Sequence, residues 1–311
     1  MSISKVALVG ANGNLGSVIL PALIDAGFEV TIIQRSGSKS KPAISSPNLK
    51  TKEVDGEFPI PEVTAALKGQ DAVIAVFPLP NRLQHHLRLA YAAAEAGVRR
   101  YIPADFGSCD AAASEPLRRL QLYRDKTKVR ERCQGLAREF PDTFTWTALV
   151  CGHFFDWGLK KKFLHIDLDK RTALILDGGN KPASVATLRR VGEAVVRVLQ
   201  RPEQTANRTL YVQSFNPTQR DVIKALERAT GAEWTVEEEE SGKFLDRHQK
   251  LYDEGSHEAQ EDIVYALGAL DADWTTRDGY AMELLGLENE DLDGVVGAIL
   301  KEYAAQSKPT A

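Results

Sequence analysis

Val6-Ala7-Leu8-Val9 is an unbroken apolar run, and the residues after it change period. From residue 17 to 26 the apolar positions recur at helical spacing. An apolar run without alternation reads as a strand covered on both faces, and a 3.6-residue period reads as a helix. The same two rhythms continue along the chain. Residues 28–33 and 49–54 predict strands, 61–68 a short helix, and 71–77 a buried strand that Pro78 and Pro80 end. Asn81 is placed to cap a helix running to about residue 96. Residues 99–102 predict a strand, 114–138 one long charged helix, and 144–150 a further strand.

Past that point the rhythm loosens. Residues 165–176 read as strand or hairpin, 185–199 as an amphipathic helix, 208–213 as a strand and 218–230 as a helix. The remainder is mostly helical with acidic loops, ending in a helix over 291–303. Strands alternating with helices build parallel sheets. The predicted fold class is α/β: a Rossmann-type doubly wound parallel sheet with a second, smaller, mostly helical substrate domain. Residues 1–153 form the expected nucleotide-binding domain, rejoined by 186–216, and 154–185 with 217–311 form the second.

Length and charge narrow the function. The 311 residues allow a sizeable core, and a formal net charge of -4 argues against a dedicated nucleic-acid surface. The acidic run 237–240 reads as a solvated strand or loop edge. Cys109, Cys133 and Cys151 cannot all pair within one chain and lack metal-type spacing, which fits a reducing compartment. Adjacent His85 and His86 point about 100° apart on a helix, so they read as structural and no metal is expected. No apolar run approaches the roughly 20 residues that span a membrane. The first strand begins almost at once, so no signal peptide is expected. The expectation is a soluble cytoplasmic protein with no membrane or nucleic-acid partner, and a homodimer is left open.

Candidate chemistry gathers first at Gly10-Ala11-Asn12-Gly13-Asn14-Leu15-Gly16, between the first strand and its helix. Glycine there supplies positive φ and lets a ligand approach the backbone. The first turn of the helix offers free N–H groups to a pyrophosphate. Strand two ends in Gln34-Arg35, with no acid before Glu53. NAD binders place a carboxylate at that point, whereas a basic residue suits the 2′-phosphate of NADP. Arg35, with its planar charged fork, is the candidate. Lys39 and Lys41 are weaker ones, of which Lys41 is kept, and Phe77 completes the expected cofactor contacts. The glycines fall at i, i+3 and i+6, which resembles the short-chain-reductase branch of Rossmann proteins in its extended and atypical members.

Ligands of open α/β sheets bind at the carboxyl ends of strands. Two loops qualify: Pro103-Ala104-Asp105-Phe106-Gly107, and the aromatic stretch from Cys151 through His153, Phe154, Phe155 and Trp157 to Gly158. Asp105, Phe106, His153, Phe154 and Trp157 are the candidate substrate-pocket residues. His153 fits either a substrate contact or a buried hydrogen-bonded histidine. The usual Tyr-x-x-x-Lys pair is missing, because none of the eight tyrosines has lysine four residues on; Tyr123 has Thr127 there.

These residues together resemble the isoflavone reductase-like, NmrA-like family, which includes plant benzylic ether reductases and fungal proteins of the CipA type. The resemblance rests on the glycine turn, Arg35, Ala96-Gly97-Val98, Tyr101 through Gly107, Lys126-x-x-x-Arg130, Leu210-Tyr211 and Asn216-Pro217-Thr218-Gln219. It implies that Lys126 is the general base and that Arg130 contacts the cofactor. Lys128 is the fallback. The chain departs from the plant proteins in two places. They usually read Pro-Ser-Glu-Phe-Gly where it has Pro103-Ala104-Asp105-Phe106-Gly107, and paired arginines where it has Arg130-Glu131-Arg132.

The resulting expectation is NADPH-dependent reduction of a small aromatic or phenolic metabolite by hydride transfer. A lysine base needs a pKa near 7–8, about three units below its usual value, and burial together with Arg130 would push that way. The competing expectation is a non-catalytic NADP sensor that regulates a protein partner, which would have no need of Lys126.

Overall fold

The computed structural model describes residues 2–42 and 44–306. Its first half runs β1 (Lys5–Val9), α1 (Gly16–Asp25), β2 (Glu29–Arg35), β3 (Leu49–Val54), α2 (Ile60–Leu67) and β4 (Ala72–Ala75). There follow α3 (Leu83–Glu95), β5 (Arg100–Ile102), α4 (Ser114–Arg119), α5 (Gln121–Glu139) and β6 (Thr145–Val150). Next come β7 (His153–Phe154), α6 (Phe155–Lys160), β8 (Ile166–Asp167), β9 (Thr172–Leu176), β10 (Val185–Ala186), α7 (Leu188–Gln200) and β11 (Arg208–Tyr211). The last elements are α8 (Gln219–Thr230), β12 (Thr235–Glu239), α9 (Ser241–Asp253), α10 (His257–Leu270), α11 (Met282–Leu285) and α12 (Leu292–Gln306).

Seven parallel strands form the main sheet in the order β11-β6-β5-β4-β1-β2-β3. The chain starts at β1, works outward to β3, then crosses back to β4 on the other side of β1. Val6 pairs with both Val30 and Ala72 in this arrangement. That reversal makes a crevice at the carboxyl end of β1, the place where open parallel sheets bind ligands. β1 is apolar without alternation because helices cover both faces. On one side α1 and α7 meet through Ile19, Leu23, Val191 and Val195. On the other, α2, α3 and α5 bury Val63, Leu89, Val129 and Leu136. Edge strand β3 is mostly exposed and carries Lys50, Lys52 and Glu53, charges that discourage edge pairing.

The later elements build another core around Ile175, Val222, Phe244, Ile263 and Val296, drawn from β9, α8, α9, α10 and α12. The 237–240 run lies largely in β12, an exposed strand paired with β9, while β8 and β9 form the expected hairpin.

Three expectations are corrected. The long helix over 114–138 is two, broken at Leu120, which is fully buried in an extended conformation (φ -123°, ψ 134°). Turning that side chain inward outweighs continuing the helix. Asn81 is not a cap: it takes a left-handed φ of 59° in the turn after Pro80, and the helix begins at Leu83. Residues 185 and 186 are strand, paired with His153 and Phe154 in β7, and the helix starts after Thr187, whose side chain accepts from the Arg190 amide.

Asp71 ties the amino end of β1 to β4. Its carboxylate accepts from the amides of Ser4 and Lys5 at 2.9 Å each, and from Arg99 at 2.6 Å. Burial works against its ionisation, but these bonds prevail and lower its pKa from 3.8 to about 2. A depressed carboxyl contributes stability above the unfolded value and loses it as pH falls through the folded one. Chemical denaturation followed from pH 5 to 2 is therefore expected to show a stability loss that is shallower in Asp71→Asn.

Candidate active site

The glycine turn closes on itself through a hydrogen bond from the Gly13 amide to the Gly10 carbonyl, 3.1 Å. Positive φ is needed at Gly10 (97°), where a Cβ would also lie 2.8 Å from the Phe77 amide nitrogen. Gly13 does not take positive φ, which corrects the simplest reading of the turn. A Cβ on Gly13 would meet nothing nearer than 3.5 Å, so this glycine leaves room for a ligand rather than for the chain. Gly16 packs tightly instead, with space for a Cβ closed by the Gly10 carbonyl.

In front of the turn lies a cleft of about 340 Å³. Gly10 to Gly13, Arg35, Ser38, Ser40, Phe77 and Arg82 line it. Two guanidinium groups and two hydroxyls make a donor set suited to phosphates. With the open space over Gly13, this cleft fits NADP(H). Arg82, Ser38 and Ser40 escaped the sequence reading as candidates. Arg82 was findable, since it is a basic residue in the loop after a strand beside the switch point, as Arg35 is. Two further expected contacts lie outside the lining of the cleft. Leu15 is buried in the core beneath the turn, and Lys41 is exposed on the loop outside the residues that line the cleft. Behind Phe77, His86 stacks on its ring at 3.8 Å, and burial pulls the imidazole down to about 4, so it is neutral and structural.

A second cavity of about 210 Å³ adjoins the first along the turn, for Asn14 lines it where Asn12 and Gly13 line the cleft. Phe106, Tyr123, Lys126, His153, Phe154 and Trp157 line it too. Lys126 thus stands at an aromatic cavity next to the nucleotide cleft. Its half-buried side chain donates to the carbonyl oxygen of Asp105 and lies 5.8 Å from the centre of the Tyr123 ring. Burial lowers the Lys126 pKa, opposed by the Asp105 carboxylate and assisted by Arg130. His153 is walled in at 4% exposure, its Nε2 3.3 Å from the Val264 carbonyl, and burial pulls it to about 4. It is a neutral wall of the cavity. Phe155, by contrast, belongs to the core.

Asp105 and Arg130 depart from expectation. The Asp105 carboxylate turns away from the cavity to accept from Arg130 Nε, and Arg130 Nη1 donates to Asp110 at 2.8 Å. Both side chains are buried, at 1% and 7% exposure, and Arg130 lines neither cavity. A buried guanidinium is held where carboxylates can neutralise it, and here two do so. Cys109 and Cys151 are buried free thiols electrostatically coupled to Lys126, and Cys133 is likewise free and buried. Among the described residues, no group of three or more His, Cys, Asp or Glu side chains is placed to hold a metal, and no helix is long and apolar enough to cross a membrane.

A parallel sheet with its glycine turn at the switch point, and an aromatic cavity beside it, define a Rossmann-type nucleotide-binding protein. The NmrA-like family model matches residues 2–257. The oxidoreductase aprR of Aspergillus flavus is 35% identical over 302 residues, 96% of this chain and 99% of the relative. The oxidoreductase poxI of Penicillium oxalicum is 30% identical over 306 residues, covering 96% and 94%. Among solved structures, an isoflavone reductase superposes with a TM-score of 0.75 at 20% identity, covering 96% of this chain and 99% of that one. The leucoanthocyanidin reductase–NADPH complex of Vitis vinifera gives 0.74 at 15% identity, covering 96% and 100%. This chain belongs to the NmrA-like family, and it is an oxidoreductase with the fold of an isoflavone reductase.

Proposed function

We propose that this enzyme is an NADPH-dependent reductase of a small aromatic or phenolic metabolite, with Lys126 as its general base. The observation that carries the reading is the position of Lys126, on the wall of an aromatic cavity that shares the glycine turn with a phosphate-suited cleft. Arg35, Ser38, Ser40 and Arg82 would hold the phosphates, with Asn12 and Gly13 lining the same cleft. Bound NADPH supplies the hydride. The chain itself manages position and protons. Phe106, Phe154 and Trp157 line a cavity suited to a planar ring. Lys126 Nζ, already aligned by the Asp105 carbonyl, exchanges a proton with a substrate oxygen. Its lowered pKa makes the neutral amine accessible nearer to neutral pH. Residues 1–153 with 186–216 act as the nucleotide-binding unit, supported by the pairing of β11 with β6 and the packing of α7 on α1. Residues 154–185 and 217–311 supply the rest of the substrate site.

The test is NADPH oxidation by purified protein against phenolic ethers, enones and aldehydes. Tight NADPH binding without turnover of any of them would argue for a sensor instead. Cofactor choice gives a second check. A charged hydrogen bond contributes about 1.5–3 kcal/mol, which corresponds to about ten- to a hundredfold in affinity. Arg35→Ala is expected to erode the preference for NADPH by that factor while leaving NADH binding nearly intact in calorimetry. Equal losses for both would make Arg35 structural.

A further inference from the structure

Arg130 is tied into a chain of contacts that ends at Lys126 and at the substrate cavity. Lys126 donates to the main-chain carbonyl of Asp105, and Arg130 holds the carboxylate of the same residue. The loop they grip is tightly turned, with the Asp105 amide donating to the Pro103 carbonyl at 2.8 Å. The next residue, Phe106, takes a positive φ of 34°, a conformation uncommon for a bulky side chain, and its ring lines the substrate cavity. Such a conformation persists only where its surroundings over-determine it. On the far side Arg130 is itself fixed. Asp110 accepts from Arg130 at 2.8 Å and from the Tyr211 hydroxyl at 3.0 Å, and Arg277 stands 3.9 Å from the same carboxylate.

We infer that Arg130 is a positioning residue: through Asp105 it fixes the carbonyl that aligns Lys126 Nζ and the left-handed Phe106 that lines the substrate cavity, with Asp110 and Tyr211 anchoring it. This rests on the reading of Lys126 as the base, and it replaces the cofactor contact expected of Arg130. The buried pair also offsets part of the Asp105 negative charge, which still acts on the lysine. The groups that face Lys126 are Asp105 on the loop after β5, Cys109 ahead of α4, Cys151 after β6, and Arg130 and Tyr123 on its own helix. Of these, Asp105 is the one whose charge Arg130 neutralises directly.

The test needs no substrate. Competitive acetylation of the whole protein across pH, read by peptide mass spectrometry, gives the titration midpoint of Lys126, and calorimetry gives NADPH affinity. In Arg130→Gln the unpaired Asp105 carboxylate and the loss of the arginine's own charge should both favour the ammonium. The midpoint is expected to rise by about one unit, a tenfold change in the ratio of its two forms, with NADPH affinity changed less than twofold. Arg130→Lys should return most of the shift. An unmoved midpoint with a tenfold loss of NADPH affinity would overturn the inference and restore the cofactor role. Should Arg130→Gln fail to fold, Tyr211→Phe decides, since it loosens only the Asp110 anchor. A smaller shift in the same direction supports the inference, and no shift overturns it. Because acetylation reads the free protein, this result stands apart from the base itself, which the turnover of Lys126→Ala decides.

Discussion

Lys126→Ala is expected to lose at least a hundredfold in turnover of a proven substrate while NADPH affinity stays within twofold. General base catalysis typically contributes about 10²–10⁴-fold. The lysine lies on the wall of the aromatic cavity and outside the residues that line the nucleotide cleft, so truncation leaves the phosphate-holding groups in place. Lys128→Ala is the control. Lys128 is exposed and pairs with Asp125 at 3.6 Å, on a different face of α5. Stopped-flow following of NADPH absorbance separates the two variants. Full turnover by Lys126→Ala would remove the base from the mechanism.

The second large effect lies in the turn. Gly13→Val is expected to abolish NADPH binding in calorimetry while circular dichroism stays native. The structure changes the grounds for this expectation. Gly13 does not require positive φ, and a Cβ there has ordinary clearance from the Gly10 carbonyl at 3.5 Å. The fold thus tolerates a side chain that the ligand does not, since the branched methyls project into the cleft. Gly10 is the opposite case, where substitution strains the chain itself. Retained NADPH affinity in Gly13→Val would move the cofactor elsewhere.

The sheet was legible because each central strand is covered on both faces, leaving apolar runs that helical periods separate. The glycine turn and Arg35 were legible for the same local reason: both sit where a strand ends and a crevice must open. The aromatic cavity was half legible, for Phe154 and Trp157 line it whereas neighbouring Phe155 fills the core. Periodicity marks which residues turn inward without saying whether a core or a cavity receives them. The break at Leu120 was hidden because the helical pattern runs through it, and only tertiary burial selects the extended backbone. The direction of Asp105 was hidden too. Its partner Arg130 lies 25 residues away on another element, so no local spacing announces the pair.

The three buried thiols give the enzyme a built-in reporter of its own breathing. Burial raises all three above the usual thiol range, Cys109 and Cys151 to about 12, so almost no thiolate exists while the chain stays closed. The thiolate is the reactive form, and a chromogenic disulfide must also reach it. The wild-type protein should therefore release colour only as fast as its segments open, with no engineered label required. Cys133 lies between α5 and the sheet, whereas Cys109 and Cys151 stand beside Lys126. Resolving the three by mass would separate loosening of the scaffold from loosening around the lysine, in one tube and on one clock.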